Sequence, residues 1–138
     1  MIKRLRAKGC PWDATVTTGA AYNNQLATLK WLRANGCPWD ETTCSAAARE
    51  GFLTLLKWAR ANGCSWNEKT CVAAAAGGHL ETLQWLRANG CPWDERTPLA
   101  AARAGAAATF EWARDNGCPY DAPRCANALD VATEWEEL

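Results

Sequence analysis

Eight cysteines and one histidine are the residues in this chain best suited to metal or redox chemistry. Within the stretch NGCPWDETTC (35–44), Cys37 and Cys44 stand seven residues apart, and the spacing recurs at Cys64/Cys71 and Cys118/Cys125. A zinc site needs thiolates two to four residues apart and four ligands converging on one point. The spacing here is wider, and the remaining repeats lack the second thiol. Cys10 is followed at that distance by Thr17, and Cys91 by Pro98. His79 occupies a position that is Phe52 and Ala106 elsewhere. Equivalent cysteines on stacked helices would sit about 8–10 Å apart, beyond the ~7 Å that a disulfide tolerates between Cα atoms. Bridges within a repeat would leave two cysteines over. The residue chemistry therefore favours cysteine as a small buried hydrophobe, and neither a metal nor another cofactor is expected.

The elements that carry these cysteines are repeated. Gly-Cys-(Pro/Ser)-(Trp/Tyr) begins at Gly9, Gly36, Gly63, Gly90 and Gly117, every 27 residues without insertion. Residues 1–138 thus read as one repeat array. It comprises a half repeat (1–9), four full repeats (10–36, 37–63, 64–90, 91–117) and a degenerate C-terminal cap (118–138). Each repeat reads as two short helices. GHLETLQWLRANG (78–90) carries Leu80, Leu83 and Leu86 at helical spacing, and Asn89-Gly90 ends it in the left-handed turn that glycine adopts without penalty. Arg33, Arg60, Arg87 and Arg114 fall in last turns and complement the helix dipole. The first helix, as in ETTCSAAARE (41–50), places Cys44, Ala47, Ala48 and Gly51 on one face. All are small, so neighbouring units are expected to stack there. Ala20, Ala47, Ala74, Ala101 and Ala128 hold one position without exception. Helices of about ten residues are marginal alone. Stacking them buries a shared core, so the fold expected is all-α: an α-solenoid of stacked helix-turn-helix repeats.

GHLETLQWLRANGC is similar to the second helix of an ankyrin repeat, G-H-x-x-I-V-x-x-L-L-x-x-G-A. Thr97-Pro98-Leu99 with AAARAG resembles the family's T-P-L-H-x-A-A-x-x-G opening. The chain lacks six of the family's 33 residues per repeat, and the deficit falls where ankyrins carry a β-hairpin. Thr82 and Arg87 stand where the family prefers apolar residues. The resemblance implies an ankyrin-like array without β-hairpins, acting as an interaction scaffold without catalysis.

NGCPWDETTC then reads as a joint. Asp40 is an N-cap, with Asp13, Asn67, Asp94 and Asp121 equivalent. Trp39 and Cys44 fall at the two positions of a hydrophobic staple. In the fourth repeat Pro98 favours the first helical position, which moves the expected cap to Thr97. Trp12, Trp39, Trp66, Trp93 and Tyr120 form one aromatic series; Trp31, Trp58, Trp85 and Trp112 form a second, either packed between helices or exposed as a binding strip. The Arg series is expected at the rim, bonded to loop Asp or to helix-end carbonyls.

Function is expected where repeats differ. The positions of Thr42, Ser45 and Arg49, then Lys69, Val72 and Ala76, then Arg96, Leu99 and Arg103, vary in size and charge opposite the small face. They are the expected contacts of a protein partner; the alternative is an unconstrained solvated face. The 15 basic and 15 acidic residues cancel, which points to neither nucleic acid nor an anionic membrane. No apolar run approaches a span and no secretory h-region follows the basic start, so the expectation is an intracellular, cytoplasmic protein. The basic start (Lys3, Arg4, Arg6, Lys8) and acidic end (Asp130, Glu134, Glu136, Glu137) suggest weak head-to-tail association. No nucleophile–base pair or phosphate loop is present, so an enzyme is not expected. A thiol-based redox or metal-binding module, or a structural fragment of a longer array, are the alternatives.

Overall fold

The computed structural model describes residues 13–120 and Cys125. These form eight α-helices and no strand: α1 Ala14–Tyr22, α2 Leu26–Ala34, α3 Glu41–Glu50, α4 Leu53–Ala61, α5 Glu68–Ala76, α6 Leu80–Ala88, α7 Arg96–Arg103 and α8 Ala107–Asp115. The half repeat at 1–9, with Cys10, Trp12 and both charged ends, lies outside the described residues, as does the expected cap beyond 120 apart from Cys125.

Each helix starts and stops for a local reason. The side chains of Asp13, Asp40 and Asn67 accept from the amides of Thr15, Thr42 and Lys69, capping α1, α3 and α5. In the fourth repeat the cap does not move to Thr97. α7 starts one position later than the other first helices, with Glu95 at its N-cap and no side-chain cap bond from it. Asp94 Oδ1 still accepts from Arg96 N at 2.9 Å, and Pro98 sits within the first turn. No carbonyl partner awaits an N–H there, so proline costs nothing. The second helices end in a full Schellman turn. Cys37 N reaches Leu32 O at 2.9 Å and Gly36 N reaches Arg33 O at 3.1 Å, with Gly36 at φ +83°. The amide of Asn35 also donates to Trp31 O at 2.8 Å.

The first helices end the same way. Gly51 belongs to this turn rather than to the stacking face: its φ is +74°, and Phe52 N bonds Ala47 O at 2.9 Å. Asn24 takes the role in the first repeat at φ 53°, where Gln25 N bonds Ala20 O. The recurrent alanines thus supply the carbonyl that closes each first helix: Ala20, Ala47, Ala74 and Ala101. Ala128 lies outside the described residues.

Packing follows side-chain size. Each first helix packs against the next first helix, α1 on α3, α3 on α5 and α5 on α7, and against the second helix of its own repeat. The buried surface of α3 is wider than the narrow face expected, since Thr43 and Ala46 join Cys44, Ala47 and Ala48. Leu29, Leu32, Leu55, Leu56, Leu83 and Leu86 fill the core from the second helices, while Leu80 is only half-buried. Nine-residue helices fall short of the ~12–15 residues an isolated helix needs, so this burial holds them.

Three substitutions test the packing. A Cβ on Gly77, whose φ of −82° is unstrained, would meet Arg49 O at 2.1 Å and the His79 ring at 2.7 Å. Gly77→Ala is expected to lower stability by about 1–3 kcal/mol in chemical denaturation. Thr97 Oγ1 is buried without a hydrogen-bond partner, whereas Thr17 Oγ1 donates to Ala14 O and Pro38 O at 2.9 and 3.1 Å. Thr97→Val is expected to be neutral or stabilising, and Thr17→Val to cost about 1 kcal/mol. Equal losses would contradict the assignment.

Candidate functional site

The first helices present a groove of about 400 Å³ across four successive repeats. Thr42, Ser45 and Arg49 from α3, Lys69 and Val72 from α5, and Arg96 from α7 line it together. Of the other expected contacts, Ala76 is half-buried and Arg103 exposed, and neither lines the groove. Leu99 does not belong to the surface. It is buried in a second core cluster with Phe110 and Cys125, where a larger side chain replaces the serine and valine of earlier repeats. Glu41 and Ala73 also line the groove, as do Thr18 and Tyr22 from α1. Tyr22 stands at the position of Arg49 and Thr18 at that of Ser45 one repeat earlier. The same register rule carried into the first repeat finds them. Tyr22 is one of two large exposed hydrophobic side chains among the described residues.

The groove wall is partly preset by hydrogen bonds. Thr18 Oγ1 lies 2.8 Å from Thr42 Oγ1. Arg96 Nη2 contacts Asp94 Oδ2 at 2.7 Å and Glu68 Oε1 at 3.9 Å. The guanidinium beside Asp94 holds that carboxyl below its ordinary value. Arg49 and Lys69 are exposed and form no such pair.

The joint between repeats has its own chemistry. The thiols of Cys37, Cys64, Cys91 and Cys118 donate to the carbonyls of Asp13, Asp40, Asn67 and Asp94, at 3.7, 3.3, 3.5 and 3.4 Å. The first three acceptors are the residues that cap the preceding first helix, and Asp94 stands at the equivalent position. The thiols that meet are not those seven apart within a repeat. Cys44 lies beside Cys64 and Cys71 beside Cys91, and the Cys71 thiol donates to the Cys91 carbonyl at 3.9 Å, so each contact joins one repeat to the next. The bond to Cys64, then burial, pushes the Cys44 thiol up; the bond to Cys71, then burial, does the same at Cys91. Among the described residues, no three His, Cys, Asp or Glu converge so as to hold a metal. His79 packs instead over Gly51 and Gly77.

Arginine and tryptophan close the outside of each joint. Arg33, Arg60 and Arg87 donate Nη1 to the carbonyls of Cys37, Cys64 and Cys91 at 2.7, 2.5 and 2.6 Å. The acceptor is the loop carbonyl three residues past the helix, in place of the loop Asp or helix-end carbonyl expected for this series. The same guanidinia lie over Trp39, Trp66 and Trp93 at 4.4, 3.8 and 4.2 Å. Each loop tryptophan meets the helix tryptophan of its own repeat edge to face: Trp39–Trp58, Trp66–Trp85 and Trp93–Trp112, at 5.7, 5.9 and 5.7 Å. The ring partners of Trp39 are thus Arg33 and Trp58. The described tryptophans of both series are half-buried, covering the core while leaving part of each ring to solvent.

No protein-family model and no curated protein matches the chain. Among the described residues no helix is long and apolar enough to cross a membrane.

Burial lifts the Cys118 thiol from its ordinary 9.0 to about 12. The sign follows from the unfolded chain, where the thiol ionises first. The contribution is fully present below pH 9.0 and is lost as pH rises toward about 12. Thermal melts under reducing conditions are expected to show this alkaline loss, and Cys118→Ala to reduce it. An unchanged pH profile in the variant would rule the thiol out as its source.

Proposed function

We propose that the chain is an ankyrin-like α-solenoid serving as a non-catalytic protein–protein interaction scaffold, with the partner lying along the first-helix groove. The observation that carries this reading is a contrast between positions. The residues that build the joint recur at every repeat, whereas the groove positions change from Thr42 to Lys69 to Arg96 and from Tyr22 to Arg49. A joint must be the same each time, while a recognition surface gains specificity by differing. Support for the solenoid comes from the chain of first-helix contacts, α1 to α3 to α5 to α7. Each unit touches its neighbours, as repeat architectures require.

The absence of catalysis belongs to the same proposal. The groove offers hydroxyls and cations, with Glu41 as its one carboxylate and no histidine. A thiol-based module is the weaker reading. Burial shields the thiols, and Cys44, Cys91 and Cys118 hold their protons more tightly than a free thiol, which makes them poor nucleophiles; the bond from Cys44 lowers the Cys64 pKa, but that thiol is itself buried. A cytoplasmic location suits buried thiols, which a reducing compartment preserves.

The test is affinity capture from lysate with mass spectrometry, comparing the chain with Arg49→Glu/Lys69→Glu. Both side chains are exposed, so the fold is expected to survive. A specific protein partner is expected to lose about tenfold or more in affinity for the variant. A partner that binds both forms equally would remove the groove from the interface.

A further inference from the structure

The tryptophan edge is only partly used by packing. Between α4 and α6 an open notch of about 290 Å³ is bordered by Lys57, Arg60, Trp66, Trp85 and Asn89. One repeat later an equivalent notch of about 300 Å³ is bordered by Gln84, Arg87, Trp93, Trp112 and Asn116. The first joint holds the same constellation, with Arg33 over Trp39 and Lys30 over Trp58 at 4.4 and 5.9 Å. Lys30, Arg33, Lys57, Arg60 and Arg87 therefore follow one edge, and none forms a salt bridge among the described residues. In a chain of balanced charge, that edge is a local excess of positive charge.

We propose that this edge docks an acidic protein segment in the polyproline II conformation, with one carboxylate at every third residue and one carboxylate per notch. Each guanidinium spends Nη1 on a cysteine carbonyl and one face on a tryptophan. The remaining N–H donors match the forked geometry of a carboxylate. Stacked helices repeat at about 8–10 Å. A polyproline II chain has three residues per turn and rises about 3.1 Å per residue. Every third side chain therefore falls on one face about 9 Å further on, in step with the notches. A β-strand would turn every third side chain to the opposite face. Aromatic-lined grooves are the surfaces that such segments occupy. A single-stranded nucleic acid fits less well, because its bases need open ring faces. Here an arginine covers one face of each loop tryptophan and a second indole packs against the ring. The surface shares no residue with the first-helix groove and stands independently of the partner proposed for it.

A synthetic (Glu-Pro-Pro)n peptide spanning three joints is the probe. It contains no aromatic residue, so titration is followed by the protein's own tryptophan emission. A saturable change that weakens with added salt is expected. A peptide of the same composition with its glutamates contiguous is expected to bind about tenfold more weakly, and Lys30→Glu/Lys57→Glu to weaken the spaced peptide by about tenfold. Arg49→Glu/Lys69→Glu is expected to leave its affinity unchanged, which separates this edge from the groove. No saturable change, equal affinity for the two peptides, indifference to Lys30→Glu/Lys57→Glu, loss of binding in Arg49→Glu/Lys69→Glu, or tighter binding of oligothymidylate would each overturn the proposal.

Discussion

One carbonyl oxygen in each repeat carries the register of the whole array. The residue that caps a first helix uses its C=O twice. Asp40 O accepts the amide of Thr43 at 3.1 Å inside its own helix and the thiol of Cys64 at 3.3 Å from the next repeat. A carbonyl has two lone pairs, so local helix initiation and inter-repeat docking share one atom without competing. The arrangement recurs at Asp13, Asn67 and Asp94. It requires a small, buried donor just past each second helix. Cysteine meets that need with an apolar body and a weak S–H donor. Serine would bring a strongly hydrated hydroxyl to a position that is 0% exposed at Cys37, Cys64 and Cys91.

The motif at the end of each second helix follows from that constraint. Glycine turns the chain and cysteine docks. Arginine, four residues before the cysteine, returns to bond its carbonyl. The indole that follows covers the guanidinium. A cation–π contact contributes about 0.5–2 kcal/mol according to its exposure, and an edge-to-face aromatic pair about 0.5–1.5 kcal/mol. Three such joints make the tryptophan edge a stabilising feature as well as a surface. The fourth joint is weaker. Tyr120 replaces tryptophan and pairs with Phe110 at 5.8 Å, while Arg114 stands 5.7 Å from the Phe110 ring.

Chemistry that looks reactive in the sequence is structural in the fold, and the reason is repetition. Catalysis needs a group once, in a place unlike any other. Cysteines that recur with the repeat period, buried and donating to backbone, belong to a scaffold. What differs between repeats lies opposite, on the groove walls, where Tyr22, Arg49, Lys69 and Arg96 present different chemistry along one line.

The sequence alone determined most of what acts within about one helical turn. Period, the first three caps and the left-handed glycines after the second helices were legible because each depends on neighbours a few residues away, whereas the turns at Gly51 and Asn24 and the start of α7 were not. Asp40 and Gly36 serve the roles their types suggest, and most of the groove positions follow from the same register. Tertiary structure decided what crosses between repeats. Thiol pairing runs from Cys44 to Cys64 rather than to Cys37, Trp39 meets Trp58 and Arg33, and Leu99 turns into the core with Phe110. These outcomes depend on which helix stacks on which and how closely. That is set by the summed volumes of alanine, cysteine and threonine faces meeting in space, a quantity that no local stretch of residues contains.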